Sequence, residues 1–134
     1  MSLQPYLFFD GRCDEALSFY QTTLGAEILF VQRFKDAPAP EGGGPMGPPE
    51  GIMHASFKVG TSTVLASDGG PERTPLSGFS LSISVTDGAE GERVFGKLAE
   101  GGSVTLPFAK TFWTEGFGMV TDRFGVPWMV NIAH

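Results

Sequence analysis

The stretch from Phe117 to His134, FGMVTDRFGVPWMVNIAH, narrows the choice of fold more than any other part of the chain. Two apolar runs, Phe117–Val120 and Val126–Ile132, flank Asp122-Arg123-Phe124-Gly125. Asp and Gly at those offsets suit a tight hairpin, because Gly125 can take a positive φ without a Cβ clash. The second run alternates, with Val126, Trp128, Val130 and Ile132 on one side and Pro127, Met129, Asn131 and Ala133 on the other. A period of two predicts a strand with one face for a core and the other for a smaller, mixed surface.

Upstream, Gln4 to Phe9 reads as a short aromatic-rich strand, and Gly11-Arg12-Cys13 turns it into a helix from Asp14 to Leu24. Asp14 and Glu15 sit near that helix's start, where negative charge complements the macrodipole. Ala16, Phe19, Tyr20 and Thr23 recur at helical spacing, so this face should dock on a sheet, and Gly25 suits the left-handed residue past the end. Glu27 to Phe34 is a strand. Asp36 to Gly51, DAPAPEGGGPMGPPEG, is too dense in Pro and Gly for a helix or a ladder, and is expected to be a flexible loop: a lid, or a plain hairpin connection. Ile52–Val59 and Thr63–Ala66 are strands joined at Gly60-Thr61-Ser62, so the first half reads βαβββ. Ser67 to Gly78 is a polar linker.

The second half repeats the plan. Phe79, Leu81, Ile83 and Val85 alternate with Ser80, Ser82, Ser84 and Thr86, giving a strand with an apolar and a hydroxyl face. Asp87 followed by Glu90 fits a capping-box-like start to a helix carrying Val94, Phe95, Leu98 and Ala99, which Gly101-Gly102 ends. Ser103–Leu106 is a short strand, Pro107–Glu115 a connection, and the terminal hairpin supplies the last two strands. Leu24–Ile28 echoes Glu100–Val104, and Phe19 echoes Phe95, at a common offset. Two βαβββ units argue an α+β fold with helices outside antiparallel-rich sheets. The expected organisation is a single domain over 1–134, with one module over about 1–68 and a second over about 78–134.

A net charge of −6 leaves no basic stripe to displace counterions, which argues against nucleic acid and against an anionic membrane surface. No stretch approaches the roughly 20 apolar residues that cross a bilayer, and the N-terminus lacks the basic start of a signal peptide. The one cysteine, Cys13, cannot form an internal disulfide. Together these predict a cytoplasmic protein. With 12 Phe against 2 Trp and 2 Tyr, the layers should pack mainly through Phe.

The chain resembles the vicinal oxygen chelate superfamily, which includes glyoxalase I, fosfomycin- and bleomycin-resistance proteins and extradiol dioxygenases, and within it the PhnB-like branch. The resemblance is carried by PYLFFDG (Pro5–Gly11), EALSFYQTTLGAE (Glu15–Glu27), the Met53-His54 strand with its partner running into Ser67-Asp68, and FGMVTDRFGVPW (Phe117–Trp128). It implies paired βαβββ modules whose curved mixed sheets enclose a cavity, usually in a homodimer. It also implies a divalent metal held by His and Glu, yet those positions fall at Gln4, Pro5 or Tyr6, at Ser80, and at Met129 with Asn131 beyond. Such a set would bind a hard cation poorly, so no metal and no cofactor is expected. The branch often carries a methyltransferase label. Its cofactor usually needs a Gly-rich turn after a first parallel strand, whereas Gly42–Gly44 sits in the Pro-rich loop.

Individual residues admit two readings each. His54 is either a general base, since imidazole exchanges protons at neutral pH, or an ordinary half-buried histidine on a face shared with Ile52, Ser56 and Lys58. Cys13 lies near a helix start that can lower a thiol pKa, but with no His or second Cys nearby it reads as inert. Asp68 and Asp122 read as turn-forming. Ser80, Ser82 and Ser84 either line a cavity or face water. Trp113, Phe117 and Met119 either wall a ligand or belong to the core. The expected function is binding of an unidentified small molecule by a pocket of Gln4, Tyr6, Ser80, Ser82, Trp113, Phe117, Met129 and Asn131. The alternative is an isomerase, lyase or hydrolase with His54 as base and Tyr6 or a serine as proton donor.

Overall fold

Alternating apolar residues on both sides of each helix segment build the same unit twice. The computed structural model describes residues 1–36, 48–69 and 76–133. The chain divides into two compact units, Met1–Arg73 and Thr74–His134, here modules one and two.

Module one runs β1 (Tyr6–Phe8), α1 (Cys13–Leu24), β2 (Glu27–Arg33), a 3-10 turn (Phe34–Asp36), β3 (Ile52–Val59) and β4 (Ser62–Ser67). Its sheet has the order β1-β4-β3-β2, parallel between β1 and β4 and antiparallel elsewhere. α1 buries Ala16, Leu17, Phe19, Tyr20 and Thr23. Tyr20 stacks on Phe57 of β3 with centroids 5.6 Å apart, and Leu7, Ala55, Val64 and Ala66 complete that core face. Gly25, at φ 65, ends the helix in the left-handed conformation that a Cβ disfavours.

Module two repeats the order with β5 (Leu81–Val85), α2 (Gly88–Ala99), β6 (Ser103–Ala109), β7 (Phe117–Thr121) and β8 (Pro127–Ile132), paired as β5-β8-β7-β6. β5 lies parallel to β8. Asp87 caps α2 by accepting a hydrogen bond from the Glu90 amide. Val94, Phe95 and Leu98 of that helix are buried, as are Val120, Val126, Trp128 and Val130 of the hairpin strands. The loop between those strands forms as its residues dictate. Asp122 N donates to Val126 O, Gly125 N donates to Asp122 O, and Gly125 sits at φ 88. Two modules of this kind make an α+β fold of the glyoxalase type.

Several boundaries differ from expectation for physical reasons. β6 continues through Pro107 to Ala109, because an outer strand has no partner for the missing N–H. β5 begins at Leu81, leaving Ser80 before the strand, and Gln4 lies before β1. In β3 the register with β2 shifts between the Gln32–His54 and Arg33–Ile52 pairs, so Ile52 is fully buried instead of sharing the face of His54. Most of the loop 36–51, with Gly42–Gly44, much of the linker after Asp68, and His134 lie outside the described residues. Among the described residues no helix is long and apolar enough to cross a membrane.

Candidate functional site

The sheet face of module one away from α1 carries an aromatic cluster. Strand pairing sets Tyr6 beside Leu65, Leu65 beside Ser56, and Ser56 beside Phe30, while His54 pairs with Gln32. Tyr6 stacks on Phe8 at 5.0 Å between ring centroids. His54 lies between Tyr6 and Phe30, 5.6 and 6.1 Å from their rings. Phe8 and Phe30 keep 41% and 49% of their surface exposed, high values for phenylalanine on a sheet. Tyr6 Oη and His54 Nδ1 share a 2.9 Å hydrogen bond, the phenol donating when Nδ1 is unprotonated. That contact fixes the imidazole ring and leaves Nε2 for another partner.

Asp68 is more than a turn residue, which corrects the sequence reading. Its Oδ1 accepts hydrogen bonds from the Gly11 and Cys13 amides, and Oδ2 accepts one from the Ile52 amide. One carboxylate therefore ties the start of α1 to β3 and β4 and supplies the cap that Arg12 does not. Cys13 beneath it is fully buried. Burial first, then the negative charges of Asp68 and Asp14, push its thiol up to about 12. The cysteine stays protonated and is no nucleophile. Asp14 forms a two-pronged pair with Arg33, at 2.7 and 2.9 Å, which holds its carboxyl below the ordinary aspartate value.

In module two the corresponding face brings together five of the expected residues. Ser82 pairs with Met129 and Met129 with Met119; Ser84 pairs with Asn131 and Asn131 with Phe117. Trp113 meets Phe117 edge to face at 5.4 Å and carries Phe112 at 4.8 Å. The loop is built to hold that tryptophan. Thr111 Oγ1 accepts from the Trp113 and Thr114 amides, and buried Thr114 donates through Oγ1 to Ile132 O at 2.6 Å. Asn131 Oδ1 is buried without a hydrogen-bond partner among the described residues. An unmet buried acceptor costs about 1–3 kcal/mol, so its retention calls for a reason.

Asp122, the other acid, is structural. It accepts from the Phe124 and Val126 amides and from Trp128 Nε1, and it is almost fully buried.

The donor set does not fit the divalent metal that the resemblance implies. At the expected positions stand Gln4, Ser80 and Met129, with Tyr6 and Asn131 close by in sequence, and none is a carboxylate or an imidazole. Among the described residues no three His, Cys, Asp or Glu side chains gather to hold an ion. A nucleotide-like methyl donor fits no better at the β1–α1 turn, because Asp68 already occupies the Gly11 and Cys13 amides.

The sequence reading named His54 as base with Tyr6 or a serine as its acid, and Tyr6 is hydrogen-bonded to His54 in the structure; it missed Phe8, Phe30 and the reach of Asp68. Strand alternation marks Phe8 as sharing the face of Tyr6, so that one was findable.

The family model described as 3-demethylubiquinone-9 3-methyltransferase matches residues 1–131. Protein YjdN of Escherichia coli (strain K12) is 39% identical over 141 residues, covering 99% of this chain and 96% of that protein. The structure of protein PA1353 from Pseudomonas aeruginosa matches with a TM-score of 0.86 at 45% identity, covering 98% of each chain. The PhnB protein from Bacillus cereus gives 0.83 at 26% identity, covering 99% of this chain and 100% of that one. The fosfomycin resistance protein FosX of Listeria monocytogenes shares the fold alone, with a TM-score of 0.66 at 10% identity over 100% of this chain and 94% of that one.

Proposed function

This chain belongs to the family described as 3-demethylubiquinone-9 3-methyltransferase, a PhnB-like branch of the vicinal oxygen chelate superfamily, and from that premise we propose that it binds a small organic molecule without a metal and without transferring a methyl group. The observation that carries this reading is the exposed aromatic face of module one, where Tyr6, Phe8 and Phe30 surround one phenol–imidazole pair. Exposed rings around a single polar pair are the surface that a partly apolar ligand with one polar group would cover. The methyltransferase description finds no support in these residues, because the one helix start that follows a parallel-paired strand in module one is filled by Asp68.

Native mass spectrometry of gently purified protein tests the proposal. The expected result is a retained small molecule, no stoichiometric metal, and about tenfold weaker retention in Phe30→Ala. Protein that carries one metal ion per chain, or that retains nothing and saturates with nothing in a ligand screen, overturns it. The same spectrum reports oligomeric state. Leu29 and Val31, exposed on the outer strand β2, support a homodimer, and the buried lone cysteine suits a cytoplasmic setting.

A second reading rests on the Tyr6–His54 bond itself. In the tautomer whose Nδ1–H donates to Tyr6 Oη, the imidazole can take a proton at Nε2 while the Tyr6 hydroxyl proton is available as the acid, in an isomerase, lyase or hydrolase. His54→Ala separates the two. A binder keeps its affinity within a fewfold, whereas a catalyst loses on the order of 100-fold or more in kcat.

A further inference from the structure

The open sheet face of module two holds an acceptor with nothing to accept. Asn131 lies on β8 between Ser84 of β5 and Phe117 of β7, and its Oδ1 is buried without a partner among the described residues. Exchanging the two amide atoms would bury a donor in place of the acceptor, so the unmet group does not depend on how the carboxamide is oriented. Beside it the loop 110–116 presents Trp113 edge-on to Phe117. That loop is pinned to the same stretch of β8, since Thr114 donates to Ile132 O and Ile132 N donates to Gly116 O. The aromatic wall is thus preorganised next to the unmet Oδ1.

The surrounding chemistry narrows the ligand. Ser82, Ser84, Met119, Phe117, Met129 and Asn131 share this face, and none is charged. An ion placed there would lose its hydration without gaining a counter-charge, so the site suits a neutral group. An acceptor inside an aromatic wall asks for a flat ring carrying an N–H donor. A carboxamide set beside serine hydroxyls asks for an acceptor close to that donor. A primary or secondary amide, or a lactam, on an aromatic ring offers both.

We infer that the module two face is a binding site for neutral, flat, amide-bearing molecules, with Asn131 as the amide reader and Trp113 and Phe117 as its wall. Every residue this reading uses belongs to module two.

Titration with benzamide, followed by tryptophan emission, tests it. Trp113 is about half exposed and Trp128 buried, so Trp113→Phe identifies the responding ring. Saturable binding of benzamide is expected, at least tenfold weaker for benzoate and roughly tenfold weaker in Asn131→Leu, as for loss of one buried hydrogen bond. The leucine removes the unmet acceptor, so its thermal midpoint should hold or rise. If Asn131→Leu does not fold, Asn131→Ser carries the same test. Benzoate binding as well as benzamide, equal affinity in the Asn131 variant, or no saturable signal would each overturn the inference.

Discussion

Asp68 and Asp122 each accept at least three hydrogen bonds among the described residues, but from very different distances along the chain. Asp68 draws its donors from Gly11, Cys13 and Ile52, far back in sequence, while Asp122 draws its donors from Phe124, Val126 and Trp128, within one hairpin. The modules share strand order, yet one is closed by long-range bonds and the other by local ones. Their open faces differ in the same spirit. Module one offers exposed rings around an imidazole, and module two a tryptophan-walled carboxamide among hydroxyls and thioethers. A repeated scaffold therefore need not carry a repeated chemistry.

The carboxylates give the largest expected effects. Asp122→Ala strands three buried donors and should cost about 4 kcal/mol in denaturant unfolding. Asp68→Ala should cost about 3 kcal/mol, because Asp68 is only half-buried and water can replace part of the loss. The reverse order would break the comparison. Glycines come next. A Cβ at Gly118 would lie 2.7 Å from Phe95 Cε2 and 2.9 Å from Phe108 Cα, so Gly118→Ala should cost about 2–3 kcal/mol through crowding. Gly11 has open space but φ 93, so Gly11→Ala should cost only about 1 kcal/mol through backbone strain, read from the same curves.

Two built-in reporters sharpen the contrast further. Cys13, its thiol pushed up to about 12 in module one, should resist an aromatic disulfide reagent at pH 8 until that module opens. Trp128 reports module two. We expect labelling and emission to change at one denaturant concentration in the wild type and at two in Asp68→Ala. Two transitions in the wild type would show modules that unfold independently. The smallest effect belongs to Asp14. Its hydrogen bond from Arg33 lowers the carboxyl below 3.8, so the contribution is complete above that value and fades as pH falls through the lowered one. Carbon NMR should find the Asp14 midpoint depressed, and restored in Arg33→Gln. Because Asp14 is exposed and Arg33 only half-buried, little stability should follow.

What could be read from the sequence was local. The Asp122–Gly125 loop, the Asp87 cap and the Gly25 stop depend on neighbours within a few residues, and their side-chain chemistry announces them. Pro107 inside β6 was not legible, because its tolerance depends on which strand ends up outermost. Nor was the burial of Ile52, which follows from a register shift against β2. The same holds at the candidate sites. Tyr6 shared the role of acid partner to His54 with the serines until β1, β4 and β3 set it beside the imidazole, and Gln4 and Ser80 fall just short of the strands that were to carry them.

The pairing of β1 with β4 bears on how the protein is made. In each module the strand that leaves the ribosome first pairs with the strand that leaves last. Tyr6 and Phe8 therefore have no ladder until residues 65–67 emerge, and the Gly11 and Cys13 amides wait one residue longer for Asp68. Until then the nascent chain carries an aromatic strand with bare edges, which is the kind of segment that chaperones hold. A pause in synthesis once Asp68 has cleared the ribosomal exit tunnel would let module one close before β5 appears.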